Sequence, residues 1–352
     1  MEQLNVVVIG GGQSGLAAAY ALRRRGLTPV VLEASDQAAG SWPHYYDSLT
    51  LFSPARYSSL PGLPFGGDGD RYPHRDEVIA YLRRYAAQLD ADIRTGHRVA
   101  EVRRDDKGFT LALQDGTELA ARGVIAATGG FGRPNIPALP GLDSFAGEVL
   151  HVADYRSPEP FAGQRVVAVG AGNSAVQVAT ELASRARVTL ASRAPVKWFK
   201  QRPLAGRDLH FWLKATGLDI APLGRFTPNP PTMAVIDDGR YQTALIAGTP
   251  DRRPLFTAIE GTEVTWKDGT TEDVDTIVLA TGYRPDLGYL APLGALDEVG
   301  HPRHRDGTSL IHPGLGFVGL EWQRSLSSAS LRGVGRDADR VTRRLARHLA
   351  RL

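Results

Sequence analysis

Two β-branched runs in this chain each end in a glycine-rich turn, and that pairing sharply narrows what the chain can fold into. Residues 5–9 (NVVVI) lead into Gly10-Gly11-Gly12-Gln13-Ser14-Gly15. Residues 165–169 (RVVAV) lead into Gly170-Ala171-Gly172-Asn173-Ser174-Ala175. A short, mostly apolar run of this kind reads as a parallel strand covered on both faces. Helical segments follow over residues 16–25 and 174–184, and second strands over residues 29–32 and 187–191. Each half therefore reads as a β-α-β unit opened by G-x-G-x-x-G or its alanine variant, the pattern that binds a dinucleotide.

The glycines have separate tasks. Gly10 allows the tight turn, Gly12 lets a pyrophosphate approach the backbone, and Gly15 lets helix and strand pack closely. The helix start, with Gln13 and Ser14, offers free N–H groups and a positive dipole end to the phosphates. Gly170, Gly172 and Ala175 repeat the arrangement around Asn173 and Ser174.

The residue closing each second strand differs. The interval from Gly10 to Glu33 equals that from Gly170 to Arg193. A carboxylate suits free ribose hydroxyls, whereas a guanidinium suits a 2′-phosphate through bidentate charge-assisted bonds. The first site is expected to hold FAD. The second, with Ser192 and Arg193, is expected to take NADPH, with NADH the weaker donor. Lys197 and Lys200 add positive charge near it.

Composition removes several classes. The 352 residues suffice for two domains. There is no cysteine, so disulfide scaffolds, thiolate metal sites and dithiol redox pairs are excluded. The histidines lack metal-ligand spacing, and no metal is expected. With 41 basic and 38 acidic residues and no basic block interleaved with aromatics, no nucleic-acid partner is expected. The N-terminus has no basic n-region, and no apolar run approaches the roughly 20 residues of a membrane span. The expectation is a cytoplasmic protein with no membrane contact.

Further along, residues 124–127 lead into Thr128-Gly129, and residues 276–280 into Thr281-Gly282, as two more strand ends. Residues 76–88 read as an amphipathic helix with Val78, Ile79, Leu82 and Tyr85 on one face. Residues 101–119 read as a hairpin or meander turning at 105–108 and 115–116. Residues 61–73, 133–140 and 221–231 read as loops. Residues 197–254, weakly periodic and proline-rich, read as a lid or substrate-facing excursion. The tail, residues 336–352, reads as a surface helix whose basic face Asp337 and Asp339 interrupt. Asp237-Asp238 and the Asp273/Asp275 pair read as solvated turns. His301 and His304 read as loop surface, and His210 with Phe211-Trp212 as a packed aromatic cluster, with a pocket wall as the alternative.

Phe145, Gly147, His151 and Tyr155 together fit F-x-G-x-x-x-H-x-x-x-(Y/F/W). That pattern resembles the fingerprint of the class B flavoprotein monooxygenases, which comprise flavin-containing monooxygenases, Baeyer–Villiger monooxygenases and N-hydroxylases. Ala280-Thr281-Gly282-Tyr283 is similar to the family's A-T-G-Y/F motif, with Ala127-Thr128-Gly129 its partner at the other crossover. Gly40-Ser41-Trp42 is similar to its G-G-x-W flavin segment. The resemblance covers essentially the whole chain and is nearest to short bacterial members, including those found with arsenic-resistance genes.

The resemblance implies an α/β fold of two Rossmann-like, dinucleotide-binding domains, the NADPH domain (157–285) inserted into the FAD domain (1–156 and 286–352). Beyond the glycine loops, Glu33, Ser192 and Arg193, the implied cofactor contacts are Ser41, Trp42, Val99, Thr128, Gly129, Thr281, Gly282, Gln323 and Leu326. The implied enzyme forms a C4a-(hydro)peroxyflavin from NADPH, FAD and O2, and oxygenates a small molecule at S, N or As. No catalytic acid–base pair is assigned, and His151 is expected to act as a hinge rather than as a base. Residues 319–333 are expected to bring a helix N-terminus near the flavin pyrimidine ring.

Tyr155-Arg156 stands where main-type Baeyer–Villiger enzymes carry Trp followed by Pro or Asp, and residues 53–60 lack the asparagine that many eukaryotic-type members place beside the flavin. The alternatives are ketone oxidation, an NADPH-dependent reductase passing electrons to a carrier or quinone, and a non-enzymatic redox-sensing module. A homodimer, the commonest closed assembly, is the expected oligomer.

Overall fold

The computed structural model describes residues 2–226 and 234–351. Of the loop expected at 221–231, residues 227–231 lie outside the described residues; before them runs a short 3-10 turn, Leu223–Arg225.

The first apolar run ends strand β1 (Glu2–Ile9), where Val6, Val7 and Val8 are fully buried. Such a strand needs cover on both faces. Val6 and Val8 face α1 (Gln13–Arg23), α2 (Arg75–Gln88) and the C-terminal helix Leu331–Leu349. Val7 and Ile9 face a second cluster built on Val102, Phe109 and Leu111. The face of α1 toward the C-terminal helix is a run of small residues, Ala17, Ala18 and Ala21, which lets the two helices lie close.

β1 lies between β2 (Pro29–Leu32) and the end of a long strand, Glu118–Ala126, and runs parallel to both, with Val7 opposite Val30 and Val124. β3 (Asp92–Arg94) extends the sheet beyond β2. β4 (Val99–Asp105) and β5 (Gly108–Leu113) form an antiparallel meander with β6 (Glu118–Ala126). The far side of β6 is completed by Leu315–Phe317, Thr308–Ser309 and His304–Arg305, brought back from the C-terminal end of the chain. Strands that follow β1 in the chain thus lie on both sides of it, which opens a crevice at its C-terminal end.

A second sheet repeats the device. Five parallel strands run in the order Asp251–Pro254, Arg187–Ser192, Arg165–Val169, Thr276–Leu279, Glu148–His151. Helix α3 (Asn173–Leu182) follows the central strand and buries Val176, Val178 and Ala179. Glu148–His151 precedes residue 157, yet it pairs into this second sheet, with His151 opposite Leu279. The α/β class stands, with both sheets built around parallel strands.

Several local expectations change. In α2 the buried face is Val78, Tyr81, Leu82 and Tyr85, with Tyr81 in place of Ile79. The Tyr81 hydroxyl can be buried because it accepts from Leu60 N–H and donates to the Leu63 carbonyl. The C-terminal helix starts at Leu331, earlier than expected. Asp337 does not interrupt a solvated face: it is 1% exposed and accepts from Arg324 Nε at 2.8 Å. His304 is not loop surface. It sits in a strand against Phe317, accepts from Gly307 N–H, and burial lowers its pKa.

Residues 197–254 hold ordered elements. Trp198–Lys200 pairs with Val235–Asp237; α4 (Leu209–Thr216) lies between the two strands in sequence and α5 (Arg240–Ile246) follows them. Asp208 caps α4 by accepting the His210 N–H, and left-handed Gly217 ends it. Asp237 is not in a solvated turn: it is buried, and its carboxylate accepts from Tyr241 and Gln242 N–H at the start of α5. Among the described residues, no helix is long and apolar enough to cross a membrane.

Candidate active site: two glycine loops on one cavity

A cavity of about 1340 Å³ runs along the C-terminal ends of the central strands of both sheets. Gly10, Gly12, Gln13, Ser14, Glu33, Ser41, Trp42, Val99, Thr128 and Gly129 line it from the first sheet's side, and Gly170, Gly172, Asn173, Ser174, Ser192, Arg193, Thr281 and Gly282 from the second's. Leu326 joins them from the C-terminal segment.

The first loop needs its glycines. Gly10 has φ +105°, and a Cβ there would lie 2.8 Å from the Ala127 carbonyl oxygen. Gly12 and Gly40 approach so closely that a Cβ on Gly12 would sit 3.3 Å from Gly40 Cα. No side chain caps the start of α1, so its first N–H groups remain available to an anion. Glu33 is held rigidly: Oε2 accepts Gly11 N–H at 2.6 Å, and Oε1 accepts Ser35 N–H and Oγ–H at 2.8 Å. Gln13 ties three segments together, accepting from Trp42 Nε1 at 2.8 Å and donating to the Ala329 carbonyl at 2.5 Å.

The second loop is more open. A Cβ on Gly172 would meet nothing within 4 Å, and no side chain caps α3. Gly129 and Gly282, at φ +76° and +86°, also border open space. Uncapped helix starts and glycines facing a void are what two dinucleotides require, so the residues present fit such groups. Arg193 is exposed in the wall and makes no hydrogen bond or ion pair among the described residues. Lys197 and Lys200 do not line the cavity.

Three expected contacts are absent from the wall. Gly15 and Ala175 lie beneath their loops, in the contact between helix and strand. Gln323 is turned into the core, 5% exposed, with Nε2 unpartnered. Trp322 takes a left-handed φ of 52°, and that turn presents Glu321 and Trp322 to the cavity instead.

The sequence reading also missed wall residues: Tyr45, Tyr289, Glu321 and Leu213. Tyr283, already in the motif match, joins them with its hydroxyl pushed up to about 12 by burial. Burial likewise raises the Glu321 carboxyl. Both readings of His210 hold: it is packed, and it borders the cavity.

His151 is buried and fully engaged. Ala153 N–H donates to Nδ1 at 3.1 Å, so Nε2 carries the hydrogen and donates to the Gly282 carbonyl at 3.0 Å. Its ring meets Tyr283 edge-on at 5.0 Å. Burial lowers its pKa. The C-terminal helix begins in the wall, through Ser330, Leu331 and Arg332, with Arg332 paired to Asp219 at 3.0 Å. Among the described residues, no group of three or more His, Asp or Glu is gathered to hold a metal.

Two nucleotide-binding folds opening on one cavity define an oxidoreductase that works with two dinucleotides. The chain belongs to the family described as pyridine nucleotide-disulphide oxidoreductases, whose model matches residues 7–215, and within it to the class B flavoprotein monooxygenases. It is 31% identical over 351 residues to an uncharacterized CzcO-like oxidoreductase of Geobacillus kaustophilus, covering 98% of this chain and 99% of the relative. It is 34% identical over 367 residues to the indole-3-pyruvate monooxygenase YUCCA1 of rice, covering 92% and 88%. The solved flavin-containing monooxygenase of Stenotrophomonas maltophilia is similar at 33% identity, TM-score 0.86 and 99% coverage of both chains. With no cysteine, this chain has no thiol for the disulphide chemistry in the family's description.

Proposed function

We propose that this enzyme is an NADPH-using, FAD-dependent monooxygenase that oxygenates a small molecule at a nitrogen, sulfur or arsenic atom. The observation that carries the reading is one cavity bordered by both glycine loops and by Arg193, which is unpaired among the described residues. FAD is assigned to the loop of Gly10, Gly12, Gln13 and Ser14, with Glu33 at the ribose and Ser41, Trp42, Val99, Thr128, Gly129 and Leu326 around it. NADPH is assigned to the loop of Gly170, Gly172, Asn173 and Ser174, with Ser192, Arg193, Thr281 and Gly282. We divide the chain into a flavin-side unit (1–156 and 286–352) and a nicotinamide-side unit (157–285), with Glu148–His151 reaching across to the second sheet.

When bound, FAD supplies the carrier that uses electrons from NADPH to activate dioxygen. The protein's own residues do the rest. The uncapped α1 and α3 starts hold phosphates, and Arg193 selects the 2′-phosphate by charge-assisted hydrogen bonds. The start of the C-terminal helix brings a positive dipole end to the wall. His151, with both nitrogens committed, couples the Glu148–His151 strand to the 281–283 crossover and has no nitrogen free to act as a base. Half-buried Tyr45, Tyr283 and Tyr289 help keep water out. In this reading the enzyme works in the cytoplasm, where NADPH is supplied.

The test is isotopic. The purified yellow protein, given NADPH, 18O2 and an aryl methyl sulfide, is expected to yield sulfoxide carrying one 18O atom. NADPH consumption that produces only hydrogen peroxide, or electrons passed to a quinone with no oxygenated product, would overturn it.

A further inference from the structure

Asp208 opens α4, and its carboxylate is 11% exposed while receiving four hydrogen bonds. Oδ1 accepts from His210 N–H at 2.7 Å and stands 2.7 Å from His210 Nδ1. Oδ2 accepts from the Tyr72 hydroxyl at 2.6 Å and from Gln201 Nε2 at 2.5 Å. Gln201 also donates to the Phe52 carbonyl at 3.0 Å. Burial pushes the Asp208 carboxyl up, but the bonds from His210, Tyr72 and Gln201 outweigh it, and its pKa is lowered. Asp208 is therefore a carboxylate that no arginine or lysine pairs among the described residues.

His210 is 2% exposed, and its ring lies near-parallel to Phe52 and Tyr57, with centroids at 6.1 and 6.3 Å. That packing fixes the ring plane. With Nδ1–H given to Asp208, Nε2 is an acceptor in the neutral ring, and it has no hydrogen-bond partner among the described residues. His210 borders the cavity, so Nε2 is the polar atom its ring can offer there. Phe52, Leu209 and Leu213 make the neighbouring wall apolar. The nearby cations have other first partners: Lys214 Nζ lies over the Tyr57 ring at 5.7 Å, Arg202 engages the Tyr72 hydroxyl that also donates to Asp208, and Arg332 pairs with Asp219.

We propose that Asp208 and His210 form a proton-accepting dyad for this cavity, in which Nε2 takes the proton from an amine that binds as its ammonium form. The proposal rests on the monooxygenase reading for the step that follows, but not for the proton transfer itself. A protonated amine has no lone pair with which to take up oxygen. The dyad with a neutral ring carries one net negative charge, which draws a cation and repels a carboxylate, while the apolar wall takes the amine's hydrocarbon body. In the transfer the ammonium N–H bond breaks, an Nε2–H bond forms, and the electron pair stays on the amine nitrogen. Asp208 stabilises the resulting imidazolium, which returns its proton to solvent after product leaves.

Two readouts test this on the flavin-loaded protein, with N,N-dimethylbenzylamine and thioanisole as probes. The first needs no turnover. The oxidised, histidine-labelled protein is titrated without NADPH, and the His210 ring signals are identified by their loss in H210N or H210F. The amine is expected to move the ring nitrogens toward imidazolium, and thioanisole, which has no acidic proton, to leave them neutral. The second is the ratio of amine to sulfide kcat/KM, expected to fall about 10²-fold in H210N. The variant's amine profile should then climb with pH toward the pKa of the free amine, where the wild type is already level. A ring left neutral by bound amine, or equal losses on both probes, overturns the dyad. A ring that protonates while neither probe is oxygenated upholds the dyad and sinks the monooxygenase reading instead.

Discussion

A Cβ on Gly15 would stand 1.8 Å from the carbonyl oxygen of Gly10. The obstacle is backbone, so no rotamer relieves it. Gly15→Ala is expected to push α1 off β1 and to destabilise the fold by about 2–3 kcal/mol. Gly172→Ala, whose Cβ meets nothing within 4 Å, should stay within about 0.5 kcal/mol of wild type and lose NADPH affinity instead. Thermal denaturation of the two variants checks this, and equal melting temperatures would refute the packing role given to Gly15.

Arg193→Ala should raise KM for NADPH by about 10- to 100-fold, the worth of hydrogen bonds to a charged group. NADH should be affected little, since it has no 2′-phosphate. Steady-state kinetics with both donors decides the matter; parallel losses would remove Arg193 from the 2′-phosphate site.

Gly12→Val places a branched side chain where Gly12 and Gly40 nearly touch, with Gly40 Cα already 3.3 Å from a Cβ. The variant is expected to purify without flavin absorbance. A yellow, active Gly12→Val protein would mean that the flavin lies elsewhere.

The pH dependence of stability has a definite sign at His151. Its folded-state pKa lies below the ordinary 6.5, because burial penalises the charged ring more than the Gly282 carbonyl supports it. The unfolded chain therefore binds the proton more readily, and stability rises with pH across the window between the folded and ordinary values. The contribution is complete above that window and is lost as pH falls through the folded value. His304 acts in the same direction, so the measurement is a difference. Urea unfolding at about pH 8 and about pH 5.5 should show a smaller pH effect in His151→Gln than in wild type. An identical pH effect in both would contradict the burial argument.

The glycine loops were legible because their constraint is local: a left-handed turn at Gly10 and a close approach at Gly12 leave one residue type. The buried strands were legible because three adjacent valines cannot alternate between water and core. What escaped was set by distant partners. Asp337 reads as a surface charge until Arg324 is folded onto it. Gln323 reads as a cavity residue until the left-handed turn at Trp322 reverses it. Tyr81 displaces Ile79 from the α2 face only because Leu60 and Leu63 offer its hydroxyl a donor and an acceptor. The Asp208–His210 pair lies in a stretch of short elements, and its Tyr72 partner is remote in sequence, so no spacing rule gathers the group.

The return of Leu315–Phe317 to β6, and of the C-terminal helix to α1, also sets an order of assembly during synthesis. The ribosome delivers β1 to β6 first, but their sheet still lacks three strands and the helix that covers Val6 and Val8. The strands of the second sheet are all made by residue 279, so that sheet can close while the first is still waiting. Translation halted before Leu331 would leave the alanine face of α1 bare, and a nascent chain of that length is the natural client for a chaperone.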